Sequence, residues 1–361
     1  MNLFGGFFKD KKVLITGHTG FKGAWLSSWL LELQAKVIGY SLRPPTEPNL
    51  FDICGLEKEM VSVLGDTRHF GKLKRIMESH QPEIVFHLAA QSLVRVSYRK
   101  PVETYATNVL GTVHLLEACR QTPSVKAIVN VTSDKCYENK DLRRGYREND
   151  PLGGSDPYSS SKGCAELVTA AYIRSYFPQG HDGTPALASA RAGNVIGGGD
   201  WAKDRIVPDC VRALLSKKSI VVRYPDAVRP WQFVLEPLSG YLRLAQRLYQ
   251  DGRVFAGAWN FGPDDDSLKP VRWIVERVIE YWGEPGTWNR DQGSQLYETG
   301  YLKLDSSKAR TSLPWRPQWD LDFGLSQTMD WYKAYRDKKN LAAVILRQIR
   351  SFARDMQGRS R

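Results

Sequence analysis

Thr16-Gly17-His18-Thr19-Gly20-Phe21-Lys22-Gly23 follows the short apolar run Val13-Leu14-Ile15 and opens a segment, Lys22 to Leu33, with helical periodicity. Its glycines, at 17, 20 and 23, fall where a strand hands over to a helix. A residue without a side chain lets the backbone turn tightly there. It also lets a pyrophosphate approach the helix N-terminus, whose free N–H groups and dipole favour anions. Spaced glycines mean little by themselves. Between a first strand and a first helix they read as a dinucleotide cradle.

Outward from this stretch the same alternation continues. Val37–Tyr40, Val61–Leu64, Ile84–His87 and Ala127–Val131 are short buried-strand patterns, and helical patterns fill about 68–79, 101–121 and 157–177. Continuous apolar strands separated by helices predict a parallel sheet covered on both faces, with ligands at the carboxyl ends of the strands. After about residue 190 the alternation weakens, and Gly197-Gly198-Gly199 and Pro263-Asp264-Asp265-Asp266 mark loops. The expected fold class is α/β: a doubly wound parallel sheet of Rossmann type with a smaller mixed α/β C-terminal substrate lobe. The expected division is a dinucleotide-binding domain over 1–190 and a substrate-binding lobe over 191–361, with some later segments returning to the first domain and a basic terminal helix at 340–361.

Composition narrows the function classes. The 361 residues are 42% hydrophobic and 25% charged, which excludes disordered, collagenous and coiled-coil chains. No apolar run approaches the ~20 residues of a membrane span. Met1–Phe8 is apolar, but Lys9, Lys11 and Lys12 follow it where a secretory signal would place them first, so no export is expected. Lys plus Arg is 51 and Asp plus Glu 39, a net charge of +12 that favours an acidic partner such as a phosphorylated small molecule. The excess is spread along the chain. Only Arg347, Arg350, Arg354, Arg359 and Arg361 cluster, over the apolar stripe Leu341, Ile345, Ile349 and Phe352. That pattern reads as a solvated last helix rather than a nucleic-acid or membrane contact. The five cysteines form no CxxC or zinc spacing and are odd in number. They indicate reduced thiols in a cytoplasmic protein without a metal site, with Cys119 and Cys164 as small core residues.

Tyr158-Ser159-Ser160-Ser161-Lys162 places a phenol and an ammonium four residues apart at a helix start, hence on one face. A nearby cation is expected to lower the phenol pKa from ~10, so that Tyr158 can accept a proton from an alcohol while hydride leaves the same carbon. Thr132-Ser133-Asp134-Lys135-Cys136-Tyr137 ends the preceding strand and brings a hydroxyl, an acid and an amine. Asp134 and Lys135 serve either as an acid–base pair or as a solvated ion pair at a strand end.

The GxxGxxG spacing, with YxxxK and the strand-end Ser133, resembles the extended short-chain dehydrogenase/reductase family. The likeness implies NAD, held by Gly17, His18, Thr19, Gly20, Phe21, Lys22 and Gly23. Asp66, after Gly65, would bind the adenine, and Ala89 and Ala90 of His87-Leu88-Ala89-Ala90-Gln91 would lie beside the cofactor. Lys162 and Tyr158 would face its nicotinamide end. The second strand ends Tyr40-Ser41-Leu42-Arg43, without the acidic residue that usually holds a ribose 2′-hydroxyl. Arg43 leaves NADP open, and His18 is bulky where the family often has a small residue.

Ser133-Asp134-Lys135 also looks like the Thr-Asp-Glu segment of the nucleotide-sugar 4,6-dehydratases. Lysine in the third place resembles their CDP-glucose branch. So do Arg191–Trp201, Asp204–Pro208, Arg229–Gln232, Tyr301–Asp305, Ser307–Ala309 and Trp331-Tyr332, and the likeness covers about residues 10 to 335. It implies dehydration of CDP-glucose to CDP-4-dehydro-6-deoxyglucose, a step towards deoxysugars of surface polysaccharide. Ser133, Asp134, Lys135, Tyr158 and Lys162 would be the catalytic set. As the C5 base, Lys135 would have to be pushed below a free lysine's ~10.4, and Asp134 upward. A nucleotide diphosphate carries two negative charges that suit forked arginine donors. Arg205 and Arg229 are the candidates, with Asn194 donating through its amide and Trp201 or Tyr301 packing near the base or ribose. The implied assembly is a homodimer or dimer of dimers through the helices near 101–121 and 157–177. An epimerase, a reductase and a non-catalytic dinucleotide sensor remain the rival readings.

Overall fold

The computed structural model describes residues 3–177, 183–293 and 300–358. Strands β1 (Lys12–Thr16), β2 (Lys36–Ser41), β3 (Val61–Leu64), β4 (Ile84–His87), β5 (Ala127–Val131), β6 (Ala186–Ala192) and β7 (Gly257–Phe261) form one seven-stranded sheet in the order β7-β6-β5-β4-β1-β2-β3. Every pairing is parallel. Successive side chains leave opposite faces, so the apolar runs feed two cores. Val13, Ile15, Phe86 and Val129 meet Trp25 and Trp29 of helix α1 (Phe21–Glu32). Leu14, Val85 and Ile128 meet Leu73 of α2 (Phe70–His80) and Leu115 of α3 (Gly111–Arg120). β3 is an edge, with Val61 and Leu64 exposed.

The strand order reverses between β1 and β4, and the loops leaving those strands part there. This opens the crevice where such sheets bind ligands. The helical pattern at 101–121 forms a run from Pro101 to Arg120 with a π turn over Ala106–Leu110. The wide turn carries Asn108, whose amide bonds both backbone polar groups of Gln91 (2.8 and 3.0 Å) and the Ser161 hydroxyl (2.8 Å). Helix α4 (Pro157–Ser175) starts on Asp156, whose carboxylate accepts from the Ser159 N–H at 2.9 Å, with Pro157 at the first helical position. That cap puts Tyr158 in the first turn.

A boundary at residue 190 falls inside β6, and α5 (Leu235–Asp251) and β7 return to the main sheet. Among the described residues the remaining lobe has two-stranded pairings: Val195–Ile196 with Gln232–Phe233, Val228–Pro230 with Leu268–Pro270, and Ile220–Val222 with Trp288–Arg290. Helix α6 (Leu321–Arg336) and the last helix, α7 (Leu341–Gly358), close the chain. Leu341, Ile345, Ile349 and Phe352 are buried, with Phe352 edge-on to Trp29, and Arg350 grips Glu32 at 2.8 and 3.1 Å. Arg347 and Arg354 are exposed; Arg359 and Arg361 lie outside the described residues. Cys119 is buried, whereas Cys164 is only half-buried on α4 and is not a core residue. Among the described residues no helix is long and apolar enough to cross a membrane, and no acid, His or Cys cluster suits a metal.

Candidate active site

The cradle is built by backbone proximity. Gly17 has φ +75°, and a Cβ on it would lie 2.8 Å from the Ala89 nitrogen; a Cβ on Gly23 would lie 2.1 Å from the Gly17 carbonyl oxygen. Both positions require glycine. Thr16 Oγ1 pairs with His87 Nδ1 at 2.6 Å and accepts from the Ala89 N–H at 3.2 Å, which holds the β4 loop beside Gly17. Gly20 caps α1 with no side chain bonded across the cap and no acid in the first turn. The first turn of the helix thus carries no carboxylate of its own, and its N-terminus fits a dinucleotide diphosphate.

The side chains around the cradle divide. The Thr19 hydroxyl bonds Ser41 and the Leu42 carbonyl, both at 2.9 Å. The His18 ring packs on Gly39 and bonds Ser62 at 2.8 Å, and burial pushes it down to about 4. Its imidazole is thus a neutral packing group between β2 and β3, and only its backbone is left for the cradle. The half-buried Lys22 is pushed down to about 8 by burial, with Arg205 and Lys162 adding repulsion. Arg43 is exposed at the end of β2. The Asp66 carboxylate is clasped by the Arg68 guanidinium (2.9 and 3.1 Å), and this pairing holds it below the usual range.

At the end of β5 the chain turns sharply. Ser133 Oγ accepts the Lys135 N–H at 3.2 Å and donates to Asp134 Oδ1 at 3.0 Å. Asp134 is 3% exposed and its Oδ2 has no hydrogen-bond partner. Burial pushes this carboxyl up, against the pull of Lys135, Ser133, Arg229 and Lys22. Lys135 is half-buried and lines a cleft with Asp134, Tyr137, Asn139, Asp156 and Leu302. Tyr158 is also buried, and desolvation pushes its phenol up to about 12 despite the Ser133 hydroxyl and Arg205. The expected lowering by Lys162 is therefore reversed. Lys162 donates to the Val131 carbonyl at 3.2 Å, and burial pushes it down to about 8. Ser133, Asp134, Tyr158 and Lys162 are thus brought together in a buried site, with Lys22 and Arg205 close enough to act on it.

The expected substrate residues separate in space. Arg229 is buried, bonds the Val228 carbonyl at 3.0 Å and exerts its charge on Asp134. Tyr301 is half-buried beside it, bridged to Val228, with the Arg143 guanidinium 4.6 Å from its ring. Arg205 is held by Asp200 (2.8 Å) and by Ser92 (3.0 Å), spanning the two sides of the crevice. Asn194 is half-buried, and its carbonyl accepts the Gln232 N–H at 3.0 Å. Trp201 departs from expectation: its ring is 6% exposed among Trp331, Tyr332 and Tyr335, so core aromatics rather than a base cover it.

Comparison with known proteins decides among the rival readings. A family model described as GDP-mannose 4,6 dehydratase matches residues 14–259. The chain belongs to that family. It is similar to a CDP-glucose 4,6-dehydratase of Salmonella typhimurium, 51% identical over 348 residues that cover 96% of this chain and 97% of the other. A dTDP-glucose 4,6-dehydratase of Xanthomonas campestris is 26% identical over 88% of this chain and 92% of its own. Among solved structures, the dTDP-glucose 4,6-dehydratase of Streptomyces venezuelae with NAD bound has a TM-score of 0.77 at 24% identity, covering 91% of this chain and 99% of that one. The Bacillus anthracis counterpart, in complex with NAD, has a TM-score of 0.74 at 23% identity over 92% and 99%. The fold is theirs, and the chain is an NAD-dependent nucleotide-sugar 4,6-dehydratase, a hydro-lyase.

Sequence reasoning missed several residues that hold this dehydratase's site in place. Asn108 ties Gln91 to Ser161 from inside the π turn, for which helical periodicity carries no signal. Glu166 sits one turn beyond Lys162 and pairs with Arg191 at 2.7 Å. The i, i+4 spacing from Lys162 was available as a signal for it.

Proposed function

We propose that this dehydratase converts CDP-glucose to CDP-4-dehydro-6-deoxyglucose and water. The observation that carries the reading is Asp134: a buried carboxyl with one oxygen bonded by Ser133 and the other unpartnered, beside the Tyr158–Lys162 pair. A simple reductase or epimerase needs no proton donor there. The choice of CDP-glucose is supported by the 51% identity to the Salmonella enzyme. Incubation with CDP-, UDP-, dTDP- and GDP-glucose and NAD, followed by detection of a 4-keto-6-deoxy sugar, tests it. Turnover of another nucleotide sugar in preference to CDP-glucose overturns the choice of base, and no dehydration of any overturns the reaction.

In this reading Tyr158 takes the proton of the sugar 4-hydroxyl while Ser133 bonds its oxygen. Gly17–Gly23 would cradle NAD and Lys162 would hold its ribose; when bound there it would supply the acceptor for the C4 hydride and the donor to C6. The new ketone acidifies the C5 hydrogen, which Lys135 removes. Asp134 gives its proton to the departing 6-hydroxyl, and water leaves across C5–C6. Reprotonation at C5 completes the product. Lys135→Met is then expected to abolish exchange of the C5 hydrogen with solvent deuterium while ketone formation persists. Persistent exchange in rapid-quench samples rules Lys135 out as the base.

Arg229 is assigned to the diphosphate, an interaction made in ground and transition states alike. Arg229→Ala should therefore raise KM by about tenfold or more with a smaller change in kcat. A collapse of kcat at unchanged KM refutes that role.

The protein is assigned to the cytoplasm, in keeping with five free thiols. A homodimer is proposed through the face that carries Val102, Leu110 and Leu167, which are 81%, 53% and 58% exposed. Apolar side chains so exposed on adjacent helices call for a partner surface. Leu167→Asp should shift sedimentation from dimer to monomer, and an unaltered profile rules this face out.

A further inference from the structure

We infer that Glu166 is a positioning residue of this site: a sealed carboxylate that ties α4 to the ends of β5 and β6 and faces Lys162 with a negative charge. The inference rests on the roles given above to Tyr158 and Lys162. Glu166 is 3% exposed and lies one turn beyond Lys162 on the same helix face. Its Oε1 accepts from the Thr132 hydroxyl, the residue before Ser133. Its Oε2 accepts from the Ser189 hydroxyl and the Arg191 guanidinium, both at 2.7 Å. Arg191 continues to the Tyr137 hydroxyl at 2.7 Å, and Tyr137 donates to Asn260 on β7 at 2.8 Å. One carboxylate thus links the helix bearing the phenol and ammonium to the strand end bearing the hydroxyl and acid. Through Arg191 it reaches Tyr137 in the cleft wall.

Fold stability alone does not account for the arrangement. Burying two ions is costly, and an apolar pair of similar volume commonly serves a core as well or better. An apolar pair cannot hold the Thr132 hydroxyl or favour an ammonium. The titratable groups facing Lys162 are Tyr158 and Glu166 on its own helix, Cys136 in the turn after β5, His87 on β4 and Lys22 on α1. Burial drives His87 down to about 3, so its ring is neutral, and Lys22 repels. Burial lowers Lys162, and Glu166 leads the groups that oppose it. Removing that charge disfavours the ammonium further, so Lys162 loses its proton at lower pH and the alkaline limb of activity moves down.

The test uses the full chain with NAD and CDP-glucose. Glu166→Gln should lower kcat by about tenfold or more at a KM within about twofold, and move the alkaline limb down by at least about half a pH unit. The NAD dissociation constant, read by fluorescence without turnover, should rise over the same alkaline range. The amide introduced by that change leaves the Arg191 guanidinium without its counter-charge, so Glu166→Gln with Arg191→Met is made beside it. The neutral pair should recover thermal stability yet keep the shifted limb. Thr132→Val, which keeps the ion pair, should lower kcat with the limb in place. A wild-type kcat and limb in Glu166→Gln or in the neutral pair, with Lys162→Met inactive, overturns the role of Glu166 alone. An active Lys162→Met overturns the site reading beneath it. If neither neutral variant folds, an unchanged kcat in Thr132→Val overturns the proposal and a lowered one supports it.

Discussion

Asp134→Asn should stop water loss while sparing oxidation at C4, lowering overall turnover by about 10²-fold or more. The amide is nearly isosteric, and its oxygen still accepts the Ser133 hydroxyl that Asp134 Oδ1 accepts at 3.0 Å. What it lacks is an acidic proton for the departing 6-hydroxyl. The wild-type carboxyl is suited to that task because burial pushes it up, leaving it protonated more readily than an exposed carboxyl. Tyr158, Ser133 and Lys162 are untouched, so the ketone forms. The variant should accumulate reduced-nicotinamide absorbance and a 4-keto sugar that keeps its 6-hydroxyl. Rapid quench and mass analysis read both, and normal dehydration removes Asp134 from the mechanism.

Tyr158→Phe is expected to lose turnover by about 10²-fold or more while still binding NAD. The ring remains and fills the same buried space, so loss of fold is not the cause. Burial pushes the phenol up to about 12, with the Ser133 hydroxyl opposing. A phenol held that high keeps its proton at neutral pH, so proton transfer must be concerted with hydride departure or follow a lowering when substrate and cofactor fill the site. The two variants therefore fail at different steps: Tyr158→Phe before any cofactor is reduced, Asp134→Asn after. If Tyr158→Phe retains near-normal rates, the phenol is not the base.

Much of the site was legible because its signals are local. The positions of Gly17 and Gly23 follow from contacts a few residues away or with the neighbouring strand, and the spacing of Tyr158 and Lys162 follows from helix geometry. The acid after Ser133 was legible for the same reason. The roles of Trp201 and His18 were not. Each looks available as a ring in a loop, yet Trp201 is covered by Trp331 and Tyr332, far along the chain, and His18 by Gly39 and Ser62. The partners of Arg205, a candidate for the diphosphate, were not legible either: it is held by Asp200 and by Ser92 from the other side of the crevice.

The sequence by itself determined the parallel sheet, the glycine turn after its first strand and the placing of a phenol and an ammonium on one helix face. Each is written in an unbroken apolar run, a spacing of three or a spacing of four, which backbone geometry converts directly into place. Only the tertiary structure decided which polar groups lose water. Glu166 meets Ser189 and Arg191 across 23 and 25 residues, and β7 joins the sheet after a lobe has intervened. Desolvation depends on such distant neighbours, and it sets the direction in which Asp134, Tyr158 and Lys162 are shifted. Spacing can name an acid, a phenol and an amine; the packing around them decides which holds a proton.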